Sequence, residues 1–318
     1  MPLSDMQVFD EYLLGSYTET IDQKVEAFNE ASAGTIILTS GANVGDFSHE
    51  TSYKLISGLI RRRNAYGSGA VTPKTLEQLL ATSVKVASGT PPIEFTPSQF
   101  TWLQKSPDEA GTVFGEQLAA AVLEERLNLA IRASVAAVSN NSSMVHDGSA
   151  AALDFGVLNK GAALFGDRSS AIAAWVLHSK SMHDLYGNAL ANAENLFEFD
   201  TVRVLQDGFG RRIIMTDSPD LYVPGSPDNY HTLGLVSGAV ALEDNGDFDQ
   251  NLERTNGDEN IKRSLQAEWT TNIGVKGYTW DVANGGKSPN DTAIGTGTNW
   301  DKTASSDKDT AGVLINTL

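Results

Sequence analysis

The stretch PDEAGTVFGEQLAAAVLEERLNLAIRASVAAVS, Pro107 to Ser139, decides the fold, because it is the only long segment of uninterrupted helical chemistry in the chain. Pro107 sits at the first turn, where a missing N–H costs nothing, and Asp108 and Glu109 oppose the positive end of the helix dipole. Past Ser139, the run Asn140, Asn141, Ser142, Ser143 competes for backbone hydrogen bonds and ends the helix. At 1.5 Å per residue it spans roughly 50 Å, well beyond the usual three turns or so. Its apolar residues fall on two stripes. One holds Val113, Ala120, Leu123, Leu127, Ile131 and Val138; the other holds Leu118, Val122, Leu129 and Ala136. Glu124, Glu125, Asn128 and Arg132 lie between them, so two faces are expected to be buried, unlike a one-sided surface helix or a heptad seam. An ordinary core helix of an α/β enzyme would also read this way, and the rest of the chain has to decide.

Composition narrows the choice. With 318 residues, one elaborate domain or two to three intertwined ones are expected. The formal net charge of −17 argues against a shell of lysine and arginine wrapped on nucleic acid. The absence of cysteine excludes disulfides, thiolate metal sites and cysteine nucleophiles together. MPLSDMQVFDEYL carries acids where a secretion signal would carry bases, and no later segment approaches about 18 consecutive apolar residues. A soluble compartment without membrane contact is expected. No repeat of solenoid or propeller period recurs.

Charge is segregated along the chain. Residues 1–50 hold nine carboxylates against the single base Lys24, whereas Lys54, Arg61, Arg62, Arg63 and Lys74 stand in 51–76 without one acid. Leu55, Ile56, Leu59 and Ile60 suggest a helix whose C-terminal dipole would favour the three arginines as a solvated end. The sharper reading is complementarity between copies of the chain, with Arg61, Arg62 and Arg63 meeting acids of a neighbour. Thr20–Ser32 reads as a short helix with Ile21, Val25 and Phe28 on one face, and Thr35–Ser40 as a strand. Between Asn64 and Leu103, four prolines and three glycines punctuate β-prone runs such as SVKVAS and IEFT, the pattern of an extended two-stranded excursion.

After the spine, helical pieces at 150–175, a buried strand AAWVLHS, a helix KSMHDLYGNAL and the β-rich runs FDTVRVL, RRIIMTD and YHTLGLVSGAVAL read as an α/β unit over 150–242. Residues 243–260 read as an acidic turn-rich loop, SLQAEWTTNIGVKGYTWD as strands, and 284–308 as a surface excursion pinned by the final GVLINTL.

Catalytic signatures such as G-x-S-x-G, the phosphate loop and H-E-x-x-H are missing. His178 and His183 are five apart, off one helix face, and fit packing or capping better than metal binding. Asp247, Asp249 and Asn251 copy the first ligands of a calcium loop, but Leu252 replaces its glycine and Asp258 its final glutamate. No catalytic, cofactor or metal residue is assigned.

WVLHSKSMHDLYG (Trp175–Gly187), GFGRRIIMTDSP (Gly208–Pro219), NIGVKGYTWD (Asn272–Asp281), and the tail segments SPND, Asn299–Trp300 and KDTAGV (Lys308–Val313), in this order around the spine, resemble major capsid proteins of tailed double-stranded-DNA bacteriophages. The resemblance implies an α+β fold with an N-terminal arm (1–49), an E-loop (50–104), a P-domain carrying the spine (105–150), an A-domain (151–261) and a P-domain return with the C-terminal tail (262–318). It also implies a structural protein, not an enzyme, forming hexamers and pentamers of an icosahedral head that encloses DNA without reading its sequence. Scaffolding, portal and decoration proteins are the further partners it suggests, the virion its location and the bacterial host cytoplasm its place of assembly. No scaffolding-like segment precedes the arm, so scaffolding is expected as a separate protein. Some relatives cross-link lysine to asparagine, but no such pair is identifiable here. The alternatives are an encapsulin-type compartment of the same fold, and an α/β enzyme, for which residues 150–242 offer no triad, cofactor loop or metal set.

Overall fold

A computed structural model places an α-helix from Pro107 to Ser139, with the ends its sequence predicts. The structure describes all residues except 1–2, 42, 44, 55–59, 97–105, 187–193, 200–201 and 207–211. In chain order the main helices are α1 (Leu3–Ala31), the spine α2 (Pro107–Ser139), α3 (Phe155–Ala163) and α4 (Ser179–Tyr186).

Two large sheets flank the spine. The first has the order β1 (Ile36–Ser40), β12 (Val240–Asp244), β14 (Lys262–Val275), β3 (Gln78–Gly89), β2 (Phe47–Tyr53). Onto the first half of β14 are added β13 (Asp249–Thr255) and β4 (Ile93–Phe95). The second runs β5 (Val145–Asp147), β17 (Gly312–Thr317), β11 (Asn229–Val236), β6 (Ile172–Leu177), β9 (Arg212–Met215), β8 (Val202–Gln206), β7 (Glu194–Phe199), with the two-residue β10 (Tyr222–Val223) on β11. The spine touches β12 and β14 of one sheet and β11 and β17 of the other. This is why it has apolar residues on more than one face: Val122, Leu123, Leu127, Leu129, Ile131, Ala136 and Val138 are all buried. Val113, assigned by periodicity to the main stripe, is 38% exposed, because the N-terminal half of the spine is covered mainly by a single helix.

That covering helix corrects the expectation for the N-terminus. The helix predicted over 20–32 runs from Leu3 to Ala31 and lies along the spine. Phe9, Leu13, Tyr17, Ile21 and Phe28 recur at about one per turn and are buried. Gly111 and Gly115 let the backbones meet: a Cβ on Gly115 would stand 2.6 Å from the Leu13 carbonyl oxygen. Phe9 is edge-on to Phe114 at 5.8 Å, and Tyr17 stacks on Phe248 at 4.3 Å.

Two other expectations change. Residues 243–260 are not a simple loop, since Asp249–Thr255 forms β13, paired antiparallel to β14 from Asp249↔Glu268 to Thr255↔Lys262. The tail is more than a surface excursion. It makes two short helices, α5 (Val282–Gly285) and α6 (Asp291–Ile294), and the strand pair β15 (Tyr278–Trp280) with β16 (Trp300–Lys302). Trp280 and Trp300 are buried edge to face at 5.0 Å, and their indole N–H groups donate to the carbonyls of Gly286 and Ile294. The last strand, β17, lies between β5 and β11 inside the second sheet.

Candidate assembly surface

The feature that stands out from this body is the β2–β3 hairpin. Its strands pair from Phe47↔Val84 to Tyr53↔Gln78. They close where Lys54 N donates to the Glu77 carbonyl and the Lys54 ammonium meets the Glu77 carboxylate at 2.6 Å. Beyond this latch, the described residues 60–77 form neither helix nor strand and every one is exposed. Ile60 is 95% and Tyr66 99% exposed, with Val71 and Leu76 also open. Exposed apolar side chains therefore share one connection with the arginines.

Arg61, Arg62 and Arg63 lie on this connection, exposed, with no carboxylate in ion-pair distance among the described residues. Of the helix expected to end there, Leu55, Ile56 and Leu59 fall outside the described residues, and Ile60–Arg63 are not helical. Seven of the nine acids of the first fifty residues lie on α1. Glu11, Glu19, Asp22, Glu26 and Glu30 are exposed along it, beside the exposed Tyr12 and Leu14. Between α1 and the spine runs a groove of about 690 Å³ whose charged lining is Glu11, Glu19 and Glu116, with no base. One chain therefore displays a basic, apolar loop and an acidic helix face at separate places.

Several ionic groups inside the subunit have partners within it. Arg126, missed by the sequence reading, is buried on the spine and pairs with Asp244 at the end of β12. Arg132 holds Asp220 at 3.0 Å and Asp291 at 2.5 Å, tying the spine to the turn that precedes β10 and to the tail. Glu125 accepts a 2.9 Å hydrogen bond from Ser88, but its Oε2 is buried without a partner among the described residues. Burial pushes its carboxyl above the ordinary range, against the pull of Ser88 and Arg126. A raised folded-state value means that the folded protein holds the proton more tightly than the unfolded chain. The penalty is therefore complete above the folded value and disappears as pH falls towards about 4. Glu125→Gln should raise stability at pH 7 by roughly 1 kcal/mol, with the variant and parent curves converging at acid pH in thermal melts.

The residues considered for chemistry take structural places. His178 lies 5.0 Å from the Tyr230 ring, its Nδ1 accepts from Lys180 N, and Asp217 stands 3.5 Å from its Nε2. Burial pushes this imidazole below its usual range while Asp217 pulls the other way. His183 is exposed. Asp247 accepts from Thr270 N and Oγ1, and Asp249 and Asn251 belong to β13, so the three cannot wrap an ion as a loop would. Among the described residues no group of three or more His, Cys, Asp or Glu side chains could hold a metal ion, and no helix is long and apolar enough to cross a membrane.

The sequence model of a family described as major capsid protein 13-like (Gp13-like) matches residues 5–314. Solved phage capsid structures share the fold, and two of them serve as examples. The capsid asymmetric unit of cyanophage Pam1 is 11% identical, with a TM-score of 0.50 over 86% of this chain and 85% of that one. The capsid of Ralstonia phage GP4 is 10% identical, with a TM-score of 0.50 over 89% of this chain and 87% of that one. No curated protein sequence matches the chain.

Proposed function

The chain belongs to the major capsid protein 13-like family, and we propose that it builds its shell by laying the β2–β3 loop of one copy on acidic groups of the next. It is a structural capsid protein of a phage head. The observation that supports the mode of assembly is the pairing of an exposed basic and apolar connection at 60–77 with an acidic α1 face on the same chain. Two different patches that meet head to tail generate a ring or a closed shell when the rotation closes, which fits hexamers and pentamers. In this reading residues 1–49 are the arm, 50–104 the E-loop, 105–150 and 262–318 the P-domain, and 151–261 the A-domain. The net charge of −17 makes such a wall repel packaged phosphate, so DNA is contained without being gripped. Assembly in the host cytoplasm, with scaffolding, portal and decoration proteins as partners, belongs to the same proposal.

Light scattering and negative-stain imaging of concentrated protein, with and without a scaffolding partner, test it. Capsomers or closed particles are expected. A protein that stays monomeric under every condition rules the proposal out, and particles made in cells that enclose protein in place of DNA would favour an encapsulin-type compartment.

A further inference from the structure

Three Asn-Gly dipeptides occur in the sequence, at 245–246, 256–257 and 284–285. Glycine has no Cβ to obstruct its own nitrogen, so that nitrogen can reach the side-chain carbonyl carbon of the preceding asparagine, an intramolecular attack favoured by proximity.

The fold restrains two of the three. Asn245 Nδ2 donates to Thr270 Oγ1 at 2.8 Å, and the nitrogen of Gly246, the would-be nucleophile, donates to Asp244 Oδ1 at 3.0 Å. Asn284 Nδ2 donates to Asp281 Oδ2 at 2.5 Å, and Gly285 N to the Asp281 carbonyl at 2.8 Å, within the turn of α5. Asn256 is different. It follows Thr255, the last residue of β13, whose partner Lys262 opens β14, so it stands on the hairpin tip. Asn256 and Gly257 are both exposed, and neither makes a hydrogen bond among the described residues. A Cβ at Gly257 would meet nothing within 4 Å, and its φ of +120° is one that glycine readily adopts.

We propose that Asn256 is a site of spontaneous deamidation in the folded subunit. Gly257 N adds to Asn256 Cγ, the bond from Cγ to the side-chain nitrogen breaks, and ammonia leaves with the proton from Gly257 N, forming a succinimide. Water then opens the ring at either carbonyl, giving aspartate or isoaspartate, and no reagent besides water is consumed. Each event adds one negative charge to a tip that already carries Asp258 and Glu259, the former paired with Lys262 at 2.8 Å. Because the tip lies outside the β13–β14 ladder, the extra main-chain carbon of the isoaspartate breaks no strand pairing.

The test is peptide mapping by mass spectrometry of the full-length protein held at mildly alkaline pH. Acid and isoaspartate products should accumulate at 256 at least about tenfold faster than at 245 or 284, each of which must first lose two hydrogen bonds. In denaturant the three sites should convert at similar rates. Asp281→Ala, which removes the acceptor of Asn284 Nδ2, should raise conversion at 284, and Asn256→Gln should abolish the first acidic species on isoelectric separation. Equal rates at all three sites of the folded protein, an unchanged rate at 284 in Asp281→Ala, or an acidic species that survives Asn256→Gln would overturn the assignment. None of these readouts depends on shell assembly.

Discussion

Leu127→Asp should remove most of the cooperative melting transition of the subunit, and Leu123→Asp should do the same. Both leucines are essentially inaccessible, at 2% and 1% exposure, in the core cluster that joins the spine to the two sheets. A carboxylate introduced into that apolar cluster costs several kcal/mol or takes up a proton. That is comparable with the whole stability of a domain, about 5 to 15 kcal/mol. The same substitution at Val113, on the same helix but 38% exposed, should change stability by no more than about 0.5 kcal/mol. Thermal melts of the three variants check this together. A Leu127→Asp protein that melts like the parent would mean that the buried face has been assigned to the wrong side of the helix.

The contrast between Leu127 and Val113 shows what was legible in the chain and what was not. The ends of the spine could be read because their causes are local: a proline and two acids at one end, a run of asparagine and serine at the other. Ile36–Ser40 and Lys262–Val275 were legible for a similar reason, being runs rich in strand formers or alternating in polarity, whereas Ile172–Leu177 was read only in part, because the helical piece expected up to residue 175 overlaps the start of the strand. The length of α1 was under-read because its apolar signal is thin. Leu13 is flanked by the exposed Tyr12 and Leu14, which blur the stripe through Phe9, Leu13 and Tyr17, and part of the surface that receives that stripe is the bare backbone of Gly111 and Gly115, which carries no hydrophobic signal. A four-residue spacing from Phe9 through Leu13 and Tyr17 to Ile21 was the available clue. β13 was missed because DQNLERT borrows its order from β14 and exposes most of its side chains. The anchoring of the tail was missed because Trp280 and Trp300, twenty residues apart, find each other only in the fold. Of the candidate surface, the arginine block and the excess of acid before it were plain from charge alone. The gathering of those acids along one helix face was not, since it depends on α1 being continuous.

Replacing Arg61, Arg62 and Arg63 together with glutamate should leave the subunit folded and abolish its assembly. The three side chains are exposed on a connection without helix or strand, and no internal ion pair among the described residues depends on them, so melting should be unchanged within about 0.5 kcal/mol. Assembly should respond differently. A single exposed ion pair contributes only about 0 to 1 kcal/mol, but three reversed charges at every interface of a shell turn a repeated small attraction into a repeated repulsion. High salt should weaken assembly of the parent for the same reason, since at physiological ionic strength charges are screened beyond about 8 Å. The acids on the partner copy are expected on the open face of α1, where Glu11, Glu19, Asp22, Glu26 and Glu30 stand exposed. Changing Glu11 and Glu19 to lysine in the triple-glutamate background should therefore restore part of the particle yield, whereas the same two changes in the parent should reduce it. Sedimentation and electron microscopy of the four proteins at low and high salt decide the matter. If the triple-glutamate protein assembles as well as the parent at low salt, the three arginines face water in the shell, and the contact between subunits rests on the apolar residues of the loop, Ile60, Tyr66 and Leu76.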